Sequence, residues 1–314
     1  PAGQEPALQY WNHPDMCEWV NFPEAGQTNG QVPRSWVNWG SWVKLGSALP
    51  NYESPALQQF YKSQLEDGIL KPIKERLLAL QNEGKGYLFA GLNIGWETHL
   101  QDRSAQAGES IVAANTGEPM HAWEQAKTGY AALHTKGWDN ASLTAEASAQ
   151  GISKDRLFYD LCAESVQSNM MLLAKTASDY GFFKSQIFSH IVALESYYND
   201  AQIDNNVEIP PVWTALNDYC TPGFTLDEFG GAKYDLTEME NTFDAYGYAF
   251  KYAPIESYLV HYQTESEYSA QLTEFFADAD LVAVYGAVTN LTGNVSAYTM
   301  NDDQAAAIIN WLNP

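Results

Sequence analysis

The sequence predicts an α/β chain of the TIM, or (β/α)8, barrel type, and three observations carry that expectation. The second half alternates short apolar runs with amphipathic helical stretches, the pattern of parallel strands joined by crossover helices. The run from Leu88 to Ile94 is short and largely apolar, bounded by Gly84 and Gly86, as a strand buried on both faces would be. It ends in Asn93, Trp96, Glu97 and His99, placing an amide, an indole and a carboxylate where a barrel strand opens onto its functional rim. A chain of 314 residues is long enough for one such barrel, and 1–314 reads as a single domain.

Each element follows from local chemistry. Residues 1–53 are rich in Trp, Asn, Pro and Gly; Ala7 to Trp11 reads as a strand end and Asn38-Trp-Gly40 as a loop or short strand. Most tryptophans here pack a loop layer, while one or two, Trp11 and Trp39 among them, line a groove. Ser54 is an N-cap with Pro55 at the first helical position. Leu57, Tyr61, Leu65, Ile69, Ile73, Leu77 and Leu80 then form one apolar helical face, kinked at Gly68 and Pro72. After the strand comes a long polar excursion, 98–152, folding over the same rim.

Ser153 caps a helix whose apolar face is Phe158, Cys162, Val166, Met170, Leu173 and Ala177, ending near Gly181. Strands are expected at Gln186–Leu194, which carries His190, at Phe224–Phe229, at Ala249–Ile255 and at Leu281–Val288. A helix near Leu236–Tyr246 separates two of them. Thr264-Glu-Ser-Glu267 is a capping box, with Leu272, Phe275 and Phe276 turned inward behind it. Asp302 caps the last helix, with Ala306, Ile309 and Leu312 on one face.

Composition narrows the partners. Asp and Glu number 39 against 16 Lys and Arg, a formal charge of -23. Such a surface repels nucleic acid and anionic membranes, so neither is an expected partner. The 10 Trp, 19 Tyr and 13 Phe exceed what a core alone needs, and sugar C–H faces pack on aromatic rings. Cys17, Cys162 and Cys220 are far apart and odd in number, giving either one disulfide and a thiol or three thiols, and no zinc-type spacing. The sequons Asn140-Ala-Ser, Asn290-Leu-Thr and Asn294-Val-Ser fit a secreted glycoprotein. No apolar run approaches the roughly 20 residues of a membrane span. The chain starts at Pro1 rather than Met, as a processed or incomplete chain would.

Nucleotide loops, the nucleophile elbow, HExxH and EF-hand motifs are absent, so neither a cofactor nor a metal is implied. Carboxylates at strand ends remain. Cleavage of a glycosidic bond needs two: one protonates the leaving oxygen, the other attacks the anomeric carbon or activates water. Glu97 and Glu256 both follow apolar strands and form the candidate catalytic pair, with Glu195 and Glu228 next in line. Glu97 beside the indole of Trp96 suits the acid, because partial desolvation favours the protonated form. Asn93, Trp96, His190, Trp11, Trp39 and Glu228 are the candidate substrate contacts.

The stretch Asn93-Ile-Gly-Trp-Glu97 resembles the fourth-strand end of retaining β/α-barrel glycoside hydrolases, in which an acid/base glutamate follows an asparagine. The usual adjacency of the two residues is not kept. With Trp36-Val-Asn-Trp-Gly40, Ser54-Pro55, Pro222-Gly-Phe-Thr225 and the strand ending in Glu256, the chain is similar to a bacterial group of barrel proteins carrying this GWE motif. The resemblance implies that Glu256 is the seventh-strand nucleophile, and that a secreted enzyme hydrolyses an extracellular oligo- or polysaccharide. The alternative is a non-catalytic barrel that binds carbohydrate or serves as an extracellular structural protein. On this alignment the segment near Trp11 is a third strand, so the first two β/α units are missing. The chain is then a fragment, or its early strands are unusual, or a partner chain completes the barrel.

Overall fold

The computed structural model describes residues 13, 15–19, 21–23, 36–39, 42–45, 50–95, 97–100, 128–192, 210–226, 236–257, 264–279 and 302–312. Within 36–39 and 42–45, and at 192, 226, 256, 257, 304 and 312, only the backbone is described. The chain divides into two compact units. The first comprises Pro1–Leu65, His99–Leu172 and Tyr197–Thr214; the second comprises Glu66–Thr98, Leu173–Ser196 and Ala215–Pro314.

The first unit is built mainly of helices. Strands β1 (Trp36–Trp39) and β2 (Trp42–Leu45) form an antiparallel hairpin, with Trp39 opposite Trp42. Helix α1 (Pro55–Leu65) starts as its sequence requires: the Leu57 N–H donates to Ser54 Oγ at 3.3 Å. Among its described residues, the excursion expected at 98–152 contains two helices, α3 (Tyr130–Thr135) and α4 (Asn140–Gln150). Asp139 and Ser142 form a reciprocal capping box that starts α4. Helix α5 (Lys154–Asp179) runs from this unit into the second and buries Phe158, Cys162, Val166 and Met170, the stripe its 3.6-residue period specifies. Tyr130 packs on Phe158 at 4.7 Å between ring centroids. Asn51 donates to the Asp15 carbonyl and to Thr135 Oγ1, both at 3.0 Å, fastening the N-terminal segment to α3.

The second unit opens with a π turn, Glu66–Leu70, leading into α2 (Lys71–Asn82). The kink expected at Gly68 and Pro72 is this π turn. The extra residue in the turn advances the inward face by one. Leu70 is therefore buried while Ile69, expected inward, is 50% exposed. Strand β3 is only Leu92–Ile94, preceded by a 3-10 turn at Gly86–Leu88. Gly91 at φ 151 delays the strand, and a Cβ there would collide with the Phe188 ring. Strand β4 (Ile187–Ser189) runs parallel to β3, and β5 (Ile191–Val192) follows it after His190. Strand β6 (Gly223–Leu226) pairs in parallel with β5 and with β7 (Ala253–Ser257). Helix α6 (Leu236–Ala245) precedes β7; α7 (Glu265–Asp278) and α8 (Asp302–Leu312) complete the unit. The Thr264–Glu267 capping box forms as expected. Phe276 and Ile309, expected inward, are exposed, and Ala307 fills the α7–α8 contact with Tyr268 and Leu272.

These observations overturn the (β/α)8 barrel. The expected strands do run parallel where they are described, but they have two to five residues and form a pair, β3–β4, and a trio, β5–β6–β7. No closed barrel occurs among the described residues, and helices dominate. The sequence pattern specifies buried parallel strands and outer helices but not how many strands join one sheet, and Gly91 and His190 both cut strands short. Without the barrel, a partner chain is no longer needed to complete one. The segments near Trp11 and Leu281–Val288 lie outside the described residues.

Candidate functional site

The second unit gathers polar side chains at the carboxyl ends of its parallel strands, the edge at which ligands bind in open α/β sheets. His190 occupies the single residue between β4 and β5 and is 2% exposed. Its Nε2 lies 2.8 Å from Thr225 Oγ1 on β6, and its Nδ1 lies 3.5 Å from Asn93 Nδ2 on β3. The imidazole is thus held between the Thr225 hydroxyl and the Asn93 amide. Asn93 is exposed while His190 and Thr225 are buried. The line therefore runs from solvent into the sheet.

An irregularity in β7 sets the backbone register of Glu256. Phe224 pairs with Pro254, but the next residue, Thr225, pairs with Glu256. Ile255 is the extra residue of a β-bulge. Without it Ile255 would stand opposite Thr225.

Glu97 follows β3 and is half-buried. Its φ of 45° is the one positive value among the described non-glycine residues. A residue held in the left-handed region stores about 1–2 kcal/mol of strain, and such strain gathers at functional sites.

The site candidates therefore fare differently. Asn93 and His190 come together, and the backbone of Glu256 pairs in register with Thr225. Glu97 leaves the end of β3 two residues beyond Gly95. Trp39 belongs to the first unit, on β1. Trp11, Trp96, Glu195 and Glu228 lie outside the described residues. Thr225 was not among the sequence candidates. The histidine it meets lies 35 residues away in the chain, so no local pattern marks the pair.

A buried carboxylate in the first unit was also not anticipated. Glu18 is fully buried, and its Oε2 accepts from the N–H groups of Gly129 (2.8 Å), Ala131 (3.1 Å) and Trp19 (3.2 Å). Its Oε1 accepts from Ala132 at 3.2 Å. Burial pushes the carboxyl up to about 7, against the pull of these four donors. Both oxygens are engaged by backbone, so Glu18 is a clamp on the start of α3. Gly129 at φ 117 makes the clamp possible, since a Cβ there would overlap Cys162 Sγ. All three cysteines are buried free thiols.

Among the described residues, no cluster of His, Cys, Asp or Glu could hold a metal ion, and no helix is long and apolar enough to cross a membrane. Compared with protein-family models, curated proteins and solved structures, the chain matches none of them.

Proposed function

We propose that the second unit binds a glycan at the carboxyl ends of β3 to β7 and hydrolyses a glycosidic bond there, with Glu97 as the acid and Glu256 as the nucleophile. The observation that carries this reading is the backbone register that pairs Glu256, rather than Ile255, with Thr225, whose hydroxyl meets His190. Orienting a sugar and attacking its anomeric carbon require a carboxylate and fixed hydroxyl and amide groups on neighbouring strand ends. His190 orients Thr225 and is itself oriented by Asn93, whose exposed amide can also bind a sugar hydroxyl. The strained backbone at Glu97 supports a functional role for that residue.

In this mechanism Glu97 gives its proton to the leaving oxygen as the C–O bond breaks, and Glu256 forms the covalent bond to the anomeric carbon. Water, deprotonated by Glu97, then releases the sugar and regenerates both carboxyl groups. Secretion and an extracellular glycan substrate belong to the same proposal, supported by the acidic composition and the sequons.

Leaving-group dependence tests the assignment of Glu97. Glu97→Gln should slow natural glycans by about 10²–10⁴-fold while leaving activated aryl glycosides much less affected, because only poor leaving groups need the proton. Equal loss on both substrate types would remove Glu97 from the acid role. Glycan binding by the wild type with no turnover of either substrate would favour a carbohydrate-binding protein instead.

A further inference from the structure

We propose that Ser189 and Gly223 are positioning residues for the site at the carboxyl ends of the strands; this role rests on the function proposed above. Neither carries chemistry itself. Ser189 is fully buried and immediately precedes His190, and Gly223 lies two residues before Thr225 on β6.

The ladder between β4 and the start of β6 is regular up to Ser189 and then changes. Phe188 bridges Thr221 in parallel; the Thr221 N–H donates to the Ile187 carbonyl at 2.9 Å and the Ser189 N–H to the Thr221 carbonyl at 3.2 Å. In a parallel ladder the next rung runs from the Gly223 N–H to the Ser189 carbonyl. Here the Gly223 N–H donates instead to Ser189 Oγ at 3.0 Å. The hydroxyl stands in for the carbonyl, and strand pairing resumes at Ile191 and Phe224. The peptide joining Ser189 to His190 is thereby released from the ladder. His190 is left as the single residue between β4 and β5, with its ring between Thr225 and Asn93.

Gly223 makes room for this exchange. A Cβ there would overlap the Ser189 carbonyl oxygen and come within 2.6 Å of Ile255 Cγ1. Ile255 is the bulged residue that puts Glu256 in register with Thr225. The volume that a side chain at 223 would fill is therefore taken by β4 on one side and by the β7 bulge on the other. One glycine sets the approach of the strand before His190 and of the strand before Glu256. A side chain at 223 has to displace β4, because the nearest atom is backbone.

Histidine NMR reads the position of His190 independently of activity. The full chain, labelled with 15N-histidine, has six histidines, and His190→Gln identifies the signal of interest. Ser189→Ala returns the rung to the main-chain carbonyl. It should move the His190 ring resonances and lower kcat for glycan cleavage by about 10–10²-fold with KM little changed. Gly223→Ala should do the same more strongly, and Ser189→Ala decides the question where Gly223→Ala does not fold. Leu272→Val loosens the α7–α8 contact; it should lower thermal stability while leaving the resonances and kcat as in the wild type. A folded Ser189→Ala protein whose His190 resonances stay in place would overturn the proposal, as would a Leu272→Val protein that moves them equally. Moved resonances in a chain that cleaves no glycoside would uphold the positioning of His190 and reject the glycosidase reading alone.

Discussion

Thr225 on β6 stands in register with Glu256 on β7, and one bulged residue, Ile255, produces that pairing. The same threonine hydroxyl lies 2.8 Å from His190 Nε2, so one side chain links the buried histidine to the strand that carries the candidate nucleophile. Thr225→Val keeps the shape and removes the hydroxyl. It should lower stability by about 1–2 kcal/mol and kcat/KM for glycan hydrolysis by about tenfold or more, whereas Thr225→Ser should retain most of both. Denaturant midpoints and steady-state kinetics on the three proteins check this. Equal behaviour of Val and Ser would remove the hydroxyl from the site.

Glu97 pairs an unfavourable backbone with a proposed chemical role, so stability and activity should separate there. Glu97→Gly relieves the φ of 45° and should raise stability by about 1 kcal/mol while abolishing turnover. Glu97→Ala keeps the strained φ and should abolish turnover without the gain. Thermal unfolding of the two variants beside the wild type gives the comparison. A destabilised glycine variant would show that the conformation is not a source of strain.

Glu18 makes stability depend on pH in a defined direction. Its folded-state carboxyl titrates near 7 against an ordinary value of 4.5, so between these values the folded state holds the proton more tightly than the unfolded one. The associated stability is fully present below about 4.5 and is lost as pH rises toward 7, by an amount on the order of 3 kcal/mol. Urea midpoints measured across this window should fall with pH in the wild type, and much less in Glu18→Gln. The same slope in both proteins would assign the effect elsewhere.

Local chemistry made the helices legible in the sequence. Ser54, Asp302 and the Thr264–Glu267 box mark helix starts at or within a residue of where α1, α8 and α7 begin. The parallel sense of the strands was also legible, because apolar runs separated by helices leave no room for hairpins. Strand length and sheet closure were not. They depend on Gly91 meeting Phe188 and on His190 interrupting β4, contacts between residues about 100 apart in the chain that no local pattern encodes. The candidate site divides the same way. Carboxylates and a histidine at strand ends can be found by inspection. The bulge that brings Glu256 to Thr225 is a property of the pairing, and the burial of Glu18 depends on a helix more than 100 residues away.

The measurement that bears most directly on the proposed chemistry is hydrolysis of a panel of aryl glycosides and natural polysaccharides, with mass spectrometry of the protein after quenching. The wild type should cleave at least one glycoside and carry a sugar covalently attached to Glu256 during turnover. Glu256→Gln should bind the same sugar, remain unlabelled and lose activity by about 10⁴-fold or more. Undiminished cleavage by Glu256→Gln, or a wild type that cleaves nothing across the panel, would contradict the account.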